Sequence, residues 1–270
     1  MINWKNPGWS DKSRRREQLD TGFNPSGRTR YGLTEMAVDE KKGVVSDHFS
    51  RVAAKYDFMN TLLSFGLHYA WKRGAFRLID AQSGDHILDV CGGTGDMSVL
   101  AQAAIGENGR VVLYDINRKM MVTGRENRLK RGSPDRITYI QGDAENMSFP
   151  DNAFDAVMVS FGIRNLTHLK AGFSEMHRVL KPGGRFLCLE FSRPENPMFR
   201  GLYDIYSFTL MPLLGRLITG SARAYACLPE TIRMFPLPYE LSKDLREVGF
   251  SCISFRPMLN GIAVAHTAKK

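Results

Sequence analysis

Cysteine is scarce in the 270 residues: Cys91, Cys188, Cys227 and Cys252 stand far apart, with no Cys-x-x-Cys pair and no His/Cys cluster at metal-ligand spacing. Neither a disulfide scaffold nor a structural metal site is expected. Long apolar runs are also missing. The most apolar stretch, 202–220, is broken by Asp204, Pro212 and Arg216, whereas a spanning helix needs about 20 predominantly apolar residues. No transmembrane segment is expected. The opening Met1-Ile2-Asn3-Trp4-Lys5 does not build the apolar core of a secretory signal, and no such core follows Arg14-Arg15-Arg16, so a reducing, cytoplasmic setting is expected. No internal repeat is visible.

What is present is ordinary globular composition, 43% hydrophobic and 24% charged, with length for one large α/β domain with insertions or for two small domains. The 37 basic residues outnumber the 28 acidic ones, for a net charge of +9, which favours an anionic partner or surface without identifying it. Arg118, Lys119, Arg125, Arg128, Lys130 and Arg131 crowd one helical pattern and its exit. A solvated face is the default reading, and attraction to anionic lipid headgroups the sharper one. Residues 1–42 are polar, punctuated by Gly and Pro and basic in places, and read as a flexible extension. Residues 43–270 read as a single domain. Val45, Phe49, Val52 and Ala53 recur at helical spacing, and Trp71, Phe76 and Leu78 suggest a further helix, so cap helices are expected over about 43–80.

Five short apolar runs, 86–91, 111–115, 137–142, 156–161 and 186–191, alternate with helical patterns. Such alternation predicts an α/β fold with a mostly parallel sheet and helices on both faces. A helical, aromatic-rich insertion over about 195–235 follows the fifth strand and is a candidate lid over the active site. Within it Phe199, Leu202, Tyr203, Tyr206, Leu210, Leu213 and Leu217 step by three and four residues, forming one apolar stripe interrupted near Pro212. Two last strands are expected near Ile253 and Ile262.

Asp89-Val90-Cys91-Gly92-Gly93-Thr94-Gly95-Asp96 carries the first of these strands into a glycine-rich turn and then a helix. Glycines there let the backbone approach a ligand, and the helix N-terminus offers unpaired N–H groups. Asp115 ends the next strand, where a carboxylate can accept from both ribose hydroxyls of an adenosine. A dinucleotide would want a third glycine at Ser98, and a pyrophosphate would meet Asp89 and Asp96 unfavourably. S-adenosylmethionine carries a sulfonium and an ammonium and no phosphate, so the acids favour it. After the third strand, Asp143 is placed to bond the adenine amino group and the Ala144 N–H a ring nitrogen.

Three further runs are characteristic in combination: Tyr56-Asp57-Phe58-Met59-Asn60 followed by Ser64, His68 and Trp71; Arg178-Val179-Leu180-Lys181-Pro182-Gly183-Gly184 leading to Glu190-Phe191-Ser192; and Ser160-Phe161-Gly162-Ile163-Arg164-Asn165. With them the chain, from about Val45 to its end, resembles the quinone-biosynthesis C-methyltransferases acting on demethylmenaquinol or a polyprenyl benzoquinol. The resemblance implies the class I S-adenosylmethionine-dependent methyltransferase fold, Rossmann-like, with cofactor contacts at Thr94, Asp115, Asp143, Ala144 and Ser160, beside the loop residues Asp89, Gly93 and Gly95. It implies Arg164, Asn165 and Tyr56 as catalytic residues and puts His68, Tyr203, Tyr206, Tyr225 and Arg233 on the acceptor side. The chain departs from the pattern at 223–227, reading Arg223-Ala224-Tyr225-Ala226-Cys227 where the family usually has Asp-Ser-Tyr-x-Tyr.

Carbon methylation of a quinol needs the ring made more nucleophilic by removal of a phenolic proton, then in-line approach to the sulfonium methyl, and no metal. Arg164 at the end of the fourth strand is expected to hold the phenolate while Asn165 orients the oxygen. A salt bridge of Arg164 to a loop acid is the less favoured alternative. His68 stays open between packing and proton transfer, and Cys91 reads as packing. The expected partners are a prenylated quinol and an anionic membrane surface, with a homodimer or a quinone-synthesis complex as further expectations. Nucleic acid is not expected as an acceptor, because neither an Asn/Asp-Pro-Pro-aromatic motif nor a Pro-Cys pair occurs at 160–165. A cofactor-binding scaffold without catalysis is the rival from another class. The expected location is cytoplasmic, with peripheral association with the inner membrane as a further expectation.

Overall fold

Short Val-, Ile- and Leu-rich runs buried on both faces suit parallel strands, and the computed structural model, which describes residues 27–132, 135–219 and 222–270, pairs them in that way. Strands β3 (His86–Val90), β4 (Arg110–Asp115), β5 (Ile137–Gln141), β6 (Phe154–Ser160) and β7 (Leu180–Phe191) are mutually parallel, while β9 (Ala263–Lys269) runs antiparallel between β7 and β8 (Ser251–Met258). The order is β5-β4-β3-β6-β7-β9-β8. The chain winds outward from β3 to β5 and then restarts on the other side of β3 with β6. That reversal opens a crevice at the carboxyl ends of β3, β4 and β6, where open α/β sheets bind ligands.

The pleat of β3 sends Ile87 into one buried cluster with Trp71, Met97 and Leu113, and Leu88 and Val90 into another with Phe173, Met176 and Phe186. Helices cover both faces: α4 (Asp96–Ala104), α5 (Arg118–Lys130), α6 (Leu169–Val179) and α10 (Pro238–Val248). Ahead of the sheet come α1 (Val38–Val52), α2 (Tyr56–Leu63) and α3 (Leu67–Phe76). The insertion after β7 comprises α7 (Pro197–Ile205), a π-helical stretch Tyr206–Leu210, α8 (Met211–Thr219) and α9 (Ala222–Met234). Asn196 caps α7 by accepting from the Met198 and Phe199 N–H groups, with Pro197 at the first helical position. The expected break near Pro212 takes the form of the wider π turns just before it, which accommodate a residue that cannot donate to the preceding turn. A third buried cluster, Val52, Met59, Leu63, Met211 and Tyr225, packs insertion against cap helices.

One expectation needs correction. The extension read over 1–42 does not run that far: Arg28–Tyr31 (β1) and Thr34–Ala37 (β2) form an antiparallel hairpin, and α1 begins at Val38 rather than about 43. Residues 1–26, where the rest of that reading falls, lie outside the described residues. Among the described residues no helix is long and apolar enough to cross a membrane, and no cluster of His, Cys, Asp and Glu suits a metal ion.

Candidate active site

Two strand ends turn sharply into the crevice. Cys91 after β3 and Phe161 after β6 both adopt left-handed backbone (φ +53° and +55°), a conformation unusual for non-glycine residues and common beside functional sites. Between and above them lies a cavity of about 420 Å³, walled by the strand-end loops, the cap helices and the insertion.

At one end Asp115 joins two loops: Oδ2 accepts the Gly93 N–H at 2.8 Å and Oδ1 the Asn117 N–H at 2.7 Å. Burial raises its pKa, against these N–H groups. Each carboxylate oxygen keeps a further lone pair, so two vicinal hydroxyls are the natural donors to it. Asn117 ties α1 to the same loop, its Nδ2 donating to Ser46 O at 2.7 Å and Ser50 Oγ at 2.9 Å. Asp143 accepts the Glu145 N–H at 2.9 Å and pairs with Lys42 Nζ at 2.6 Å, beside Ala144 in the same wall. Further along, Thr94 Oγ1 donates to Asp57 Oδ1 at 2.6 Å, and Lys72 pairs with Asp96 at 2.7 Å. Burial pushes Asp96 up, but Lys72 outweighs it and holds the carboxyl below its ordinary range. A vicinal diol acceptor at one end and an adjoining ammonium–carboxylate pair at the other fit the ribose and the zwitterionic methionine of S-adenosylmethionine.

Three of the expected contacts do not reach this cavity. Asp89 lies beneath the loop, its Oδ2 accepting from Ser98 Oγ at 2.6 Å, and burial pushes its pKa up to about 7. The pleat puts Asp89 on the Ile87 face, toward α4, which also explains a serine rather than a glycine at 98. Gly95 turns its α-carbon away: a Cβ there would lie 2.9 Å from both Arg128 Nη1 and Leu113 Cδ1. Arg233 is committed to the insertion, donating to Asp204, to Ser207 Oγ and to Pro229 O and stacking 4.0 Å from the Phe208 ring centroid. It locks α9 to α7 instead of meeting an acceptor.

The other end brings together Tyr56, Arg164, Asn165, His68, Tyr203, Tyr206 and Tyr225, against Trp71, Phe161, Phe191 and Phe199, and Ser160 also lines the cavity. Arg164, on the turn Ile163–Asn165, is 6% exposed and pairs through Nη1 with Glu190 Oε1 at 2.7 Å; its N–H also meets Glu190 Oε2 at 3.3 Å. The less favoured salt bridge is thus present, with a strand-end acid instead of a loop acid. Burial pulls the guanidinium pKa down, Glu190 pulls it up more strongly, and the net shift is upward. Arg164 is a donor, never a base. His68 hydrogen-bonds Ser64 Oγ through Nδ1 at 2.7 Å and is pushed by burial to a pKa of about 4, a neutral wall residue. Burial drives the Cys91 thiol well up, consistent with packing. Tyr206 Oη donates to Leu63 O at 2.6 Å, and the Tyr225 hydroxyl is buried with no hydrogen-bond partner among the described residues.

The apolar stripe divides. Phe199, Tyr203 and Tyr206 line the cavity, while Leu213 and Leu217 face outward. Phe65, Leu67, Leu202 and Leu259 do both, lining the cavity at 76%, 38%, 61% and 46% exposure, and so form an apolar mouth. Sequence reasoning missed Lys42, Asp57, Lys72 and Glu190 as site residues. Lys42 had been placed in the extension, Asp57 and Glu190 lie inside recognised runs and Lys72 just after one, without any local signal of pairing.

A model described as the ubiE/COQ5 methyltransferase family matches residues 35–270. Proteins named ubiquinone/menaquinone biosynthesis C-methyltransferase UbiE from Pseudomonas putida and Pseudomonas fluorescens are 45% and 43% identical over 249 residues, covering 92% of this chain and 97% of theirs. One of the same name from Ectopseudomonas mendocina is 42% identical over 261 residues, 97% of this chain and 99% of that protein. Among solved structures, a SAM-dependent methyltransferase from Aquifex aeolicus superposes with a TM-score of 0.54 at 17% identity, over 73% of this chain and 88% of that one. The [4+2]-cyclase SpnF reaches 0.60 at 16% identity, over 84% and 94%. Likenesses at such identity show the class I methyltransferase fold alone.

Proposed function

This chain belongs to the ubiE/COQ5 methyltransferase family, and on that footing we propose that its acceptor is a prenylated quinol held at Tyr56, Arg164 and Asn165. It is an S-adenosylmethionine-dependent C-methyltransferase of ubiquinone and menaquinone biosynthesis. When bound, the cofactor supplies an electrophilic methyl group on a sulfonium.

Asp115 accepts the ribose hydroxyls, Asp143 and Ala144 meet the adenine, and Lys72 and Asp96 take the carboxylate and ammonium of the methionine. Thr94, Gly93 and Ser160 complete the wall. On the acceptor side Arg164, fixed by Glu190, donates to the quinol oxygen and stabilises charge as its proton leaves, which raises electron density on the ring carbon to be methylated. Asn165 sets the direction of that oxygen, and Tyr56 closes the pocket. Aromatic walls and the insertion keep water from the methyl group. The carrying observation is the buried Arg164–Glu190 pair opening onto an apolar, aromatic chamber that adjoins the Asp115 loop.

The apolar mouth supports delivery of the acceptor from a bilayer. Phe65, Leu67, Leu202 and Leu259 continue into the exposed Met198 and Ile205, so the prenyl tail stays in the membrane while the ring reaches Arg164, and the net positive charge draws the cytoplasmic enzyme to anionic lipid. The experiment is incubation with methyl-labelled cofactor and either a prenylated naphthoquinol or a prenylated benzoquinol. Transfer to at least one is expected. Binding of cofactor without transfer to any quinol would favour a scaffold.

A further inference from the structure

Tyr31 closes β1, before residue 35, where the match to the family begins. It nevertheless lines the same cavity as Tyr56, Arg164 and Asn165 and is 8% exposed. The hairpin that carries it is anchored on α9. The Leu33 N–H donates to Glu230 Oε2 at 3.1 Å. Gly32 makes the turn with φ of +62°, and a Cβ there would lie 2.5 Å from the same oxygen, so the approach is one that a larger residue would disturb. At the open end of the hairpin the Val38 N–H donates to Gly27 O at 3.1 Å. Tyr31 is therefore delivered to the chamber by a fixed wall.

Its ring stands edge-on to that of His48, centroids 5.9 Å apart at 90°. Cys227, Arg164 and Tyr56 all lie within electrostatic reach of its hydroxyl. Burial pushes the phenol well above its ordinary range, so the hydroxyl keeps its proton and remains a donor. A cysteine sulfur is a weak partner for such a donor. Cys227 is also the position where this sequence replaces the aromatic of the pattern it resembles.

We infer that Tyr31 is an acceptor-binding residue whose hydroxyl donates a hydrogen bond to one ring oxygen of the quinol. This rests on the quinol reading of the acceptor. The hairpin, ahead of the stretch the family model matches but within the length aligned with the relatives, then contributes to acceptor recognition, and Tyr31 and Arg164 engage the ring from separate elements.

The test is Tyr31→Phe in the full chain, which keeps the ring and removes the hydroxyl. Quinol binding in the presence of S-adenosylhomocysteine is followed by tryptophan fluorescence, since Trp71 lines the cavity, alongside steady-state kinetics. The expected result is about five- to tenfold weaker quinol binding with a matching rise in KM, the worth of one hydrogen bond. Cofactor affinity and thermal midpoint stay unchanged, and the loss disappears on one of the two monohydroxy analogues that lack a ring oxygen. Quinol affinity equal to wild type overturns the inference and leaves the quinol reading intact. Equal losses on the quinol and both analogues, or a loss accompanied by weaker cofactor binding or a lower thermal midpoint, make Tyr31 a packing residue and overturn it as well. A wild-type protein that binds no quinol fails the acceptor reading itself, and this inference with it.

Discussion

Arg164 and Glu190 are bound to each other at 2.7 Å, both almost fully buried, across the adjacent carboxyl ends of β6 and β7. A charge pair so placed is expensive to desolvate and costly to break from one side. It fixes the guanidinium in the wall of the cavity, and it decides which substitutions are informative.

Arg164→Lys keeps a cation beside Glu190 and loses the planar fork. It is expected to bind S-adenosylmethionine as the wild type does and to lose about a hundredfold in turnover. Arg164→Ala leaves the Glu190 carboxylate buried without its partner, so it should also lose about 3 kcal/mol of stability. Calorimetry, thermal melts and initial rates separate the two effects.

Asp115→Ala is expected to weaken S-adenosylmethionine binding by roughly 1.5 to 3 kcal/mol, the worth of hydrogen bonds to a charged group. Isothermal calorimetry on the folded variant measures this directly. Unchanged affinity would remove Asp115 from the cofactor site.

Asp89 gives the protein a stability gradient with pH. Its carboxyl titrates near 3.8 when unfolded and is pushed up to about 7 by burial in the fold. Between those values the folded state holds a proton that the unfolded state has released. Stability therefore falls as pH rises from about 4 to 7, by up to about 4 kcal/mol, and levels off above. Asp89→Asn should flatten that slope in urea melts at pH 5 and pH 7.5. Parallel slopes in the two proteins would contradict the assignment.

Met198 and Ile205 extend the apolar mouth without lining the cavity. Changing both to Asp is expected to lower flotation with anionic liposomes at least about tenfold, since each buried large apolar side chain contributes about 1.5 to 3 kcal/mol. Turnover of a short-tailed, dispersed quinol should hold. Wild-type flotation should itself fall with added salt.

Tyr206→Ala cuts the hydrogen bond from insertion to α2 at Leu63 O and opens the tail side of the chamber. Long-tailed acceptors are expected to suffer several-fold more in kcat/KM than short-tailed ones. An equal loss on both would make Tyr206 ordinary packing.

The parallel sheet, the glycine-rich loop and the insertion were legible in the sequence, because short apolar runs between helical patterns leave few topologies, and Asp115 and Asp143 follow from their strand-end positions. The hairpin was not. Arg28-Thr29-Arg30-Tyr31 is too short and too polar to show a period, and its anchor, Glu230, lies 197 residues from Leu33. Asp89 was misplaced because its position beside the loop suggested the ligand, whereas the pleat directs it at Ser98. Arg233 was given to the acceptor on likeness alone, and its partner Asp204 is a neighbour only after α7 and α9 have packed. Glu190 stood in a recognised run, yet nothing local in a strand reveals which cation will end beside it.

The most direct test of the account is to map the transferred methyl group. Wild type and Arg164→Lys, each saturated with methyl-labelled S-adenosylmethionine, are given a prenylated quinol, and the product is examined by NMR. The account predicts label on a ring carbon, formed about a hundredfold more slowly by the variant at equal cofactor occupancy. Label on oxygen, or equal rates from the two proteins, would contradict it.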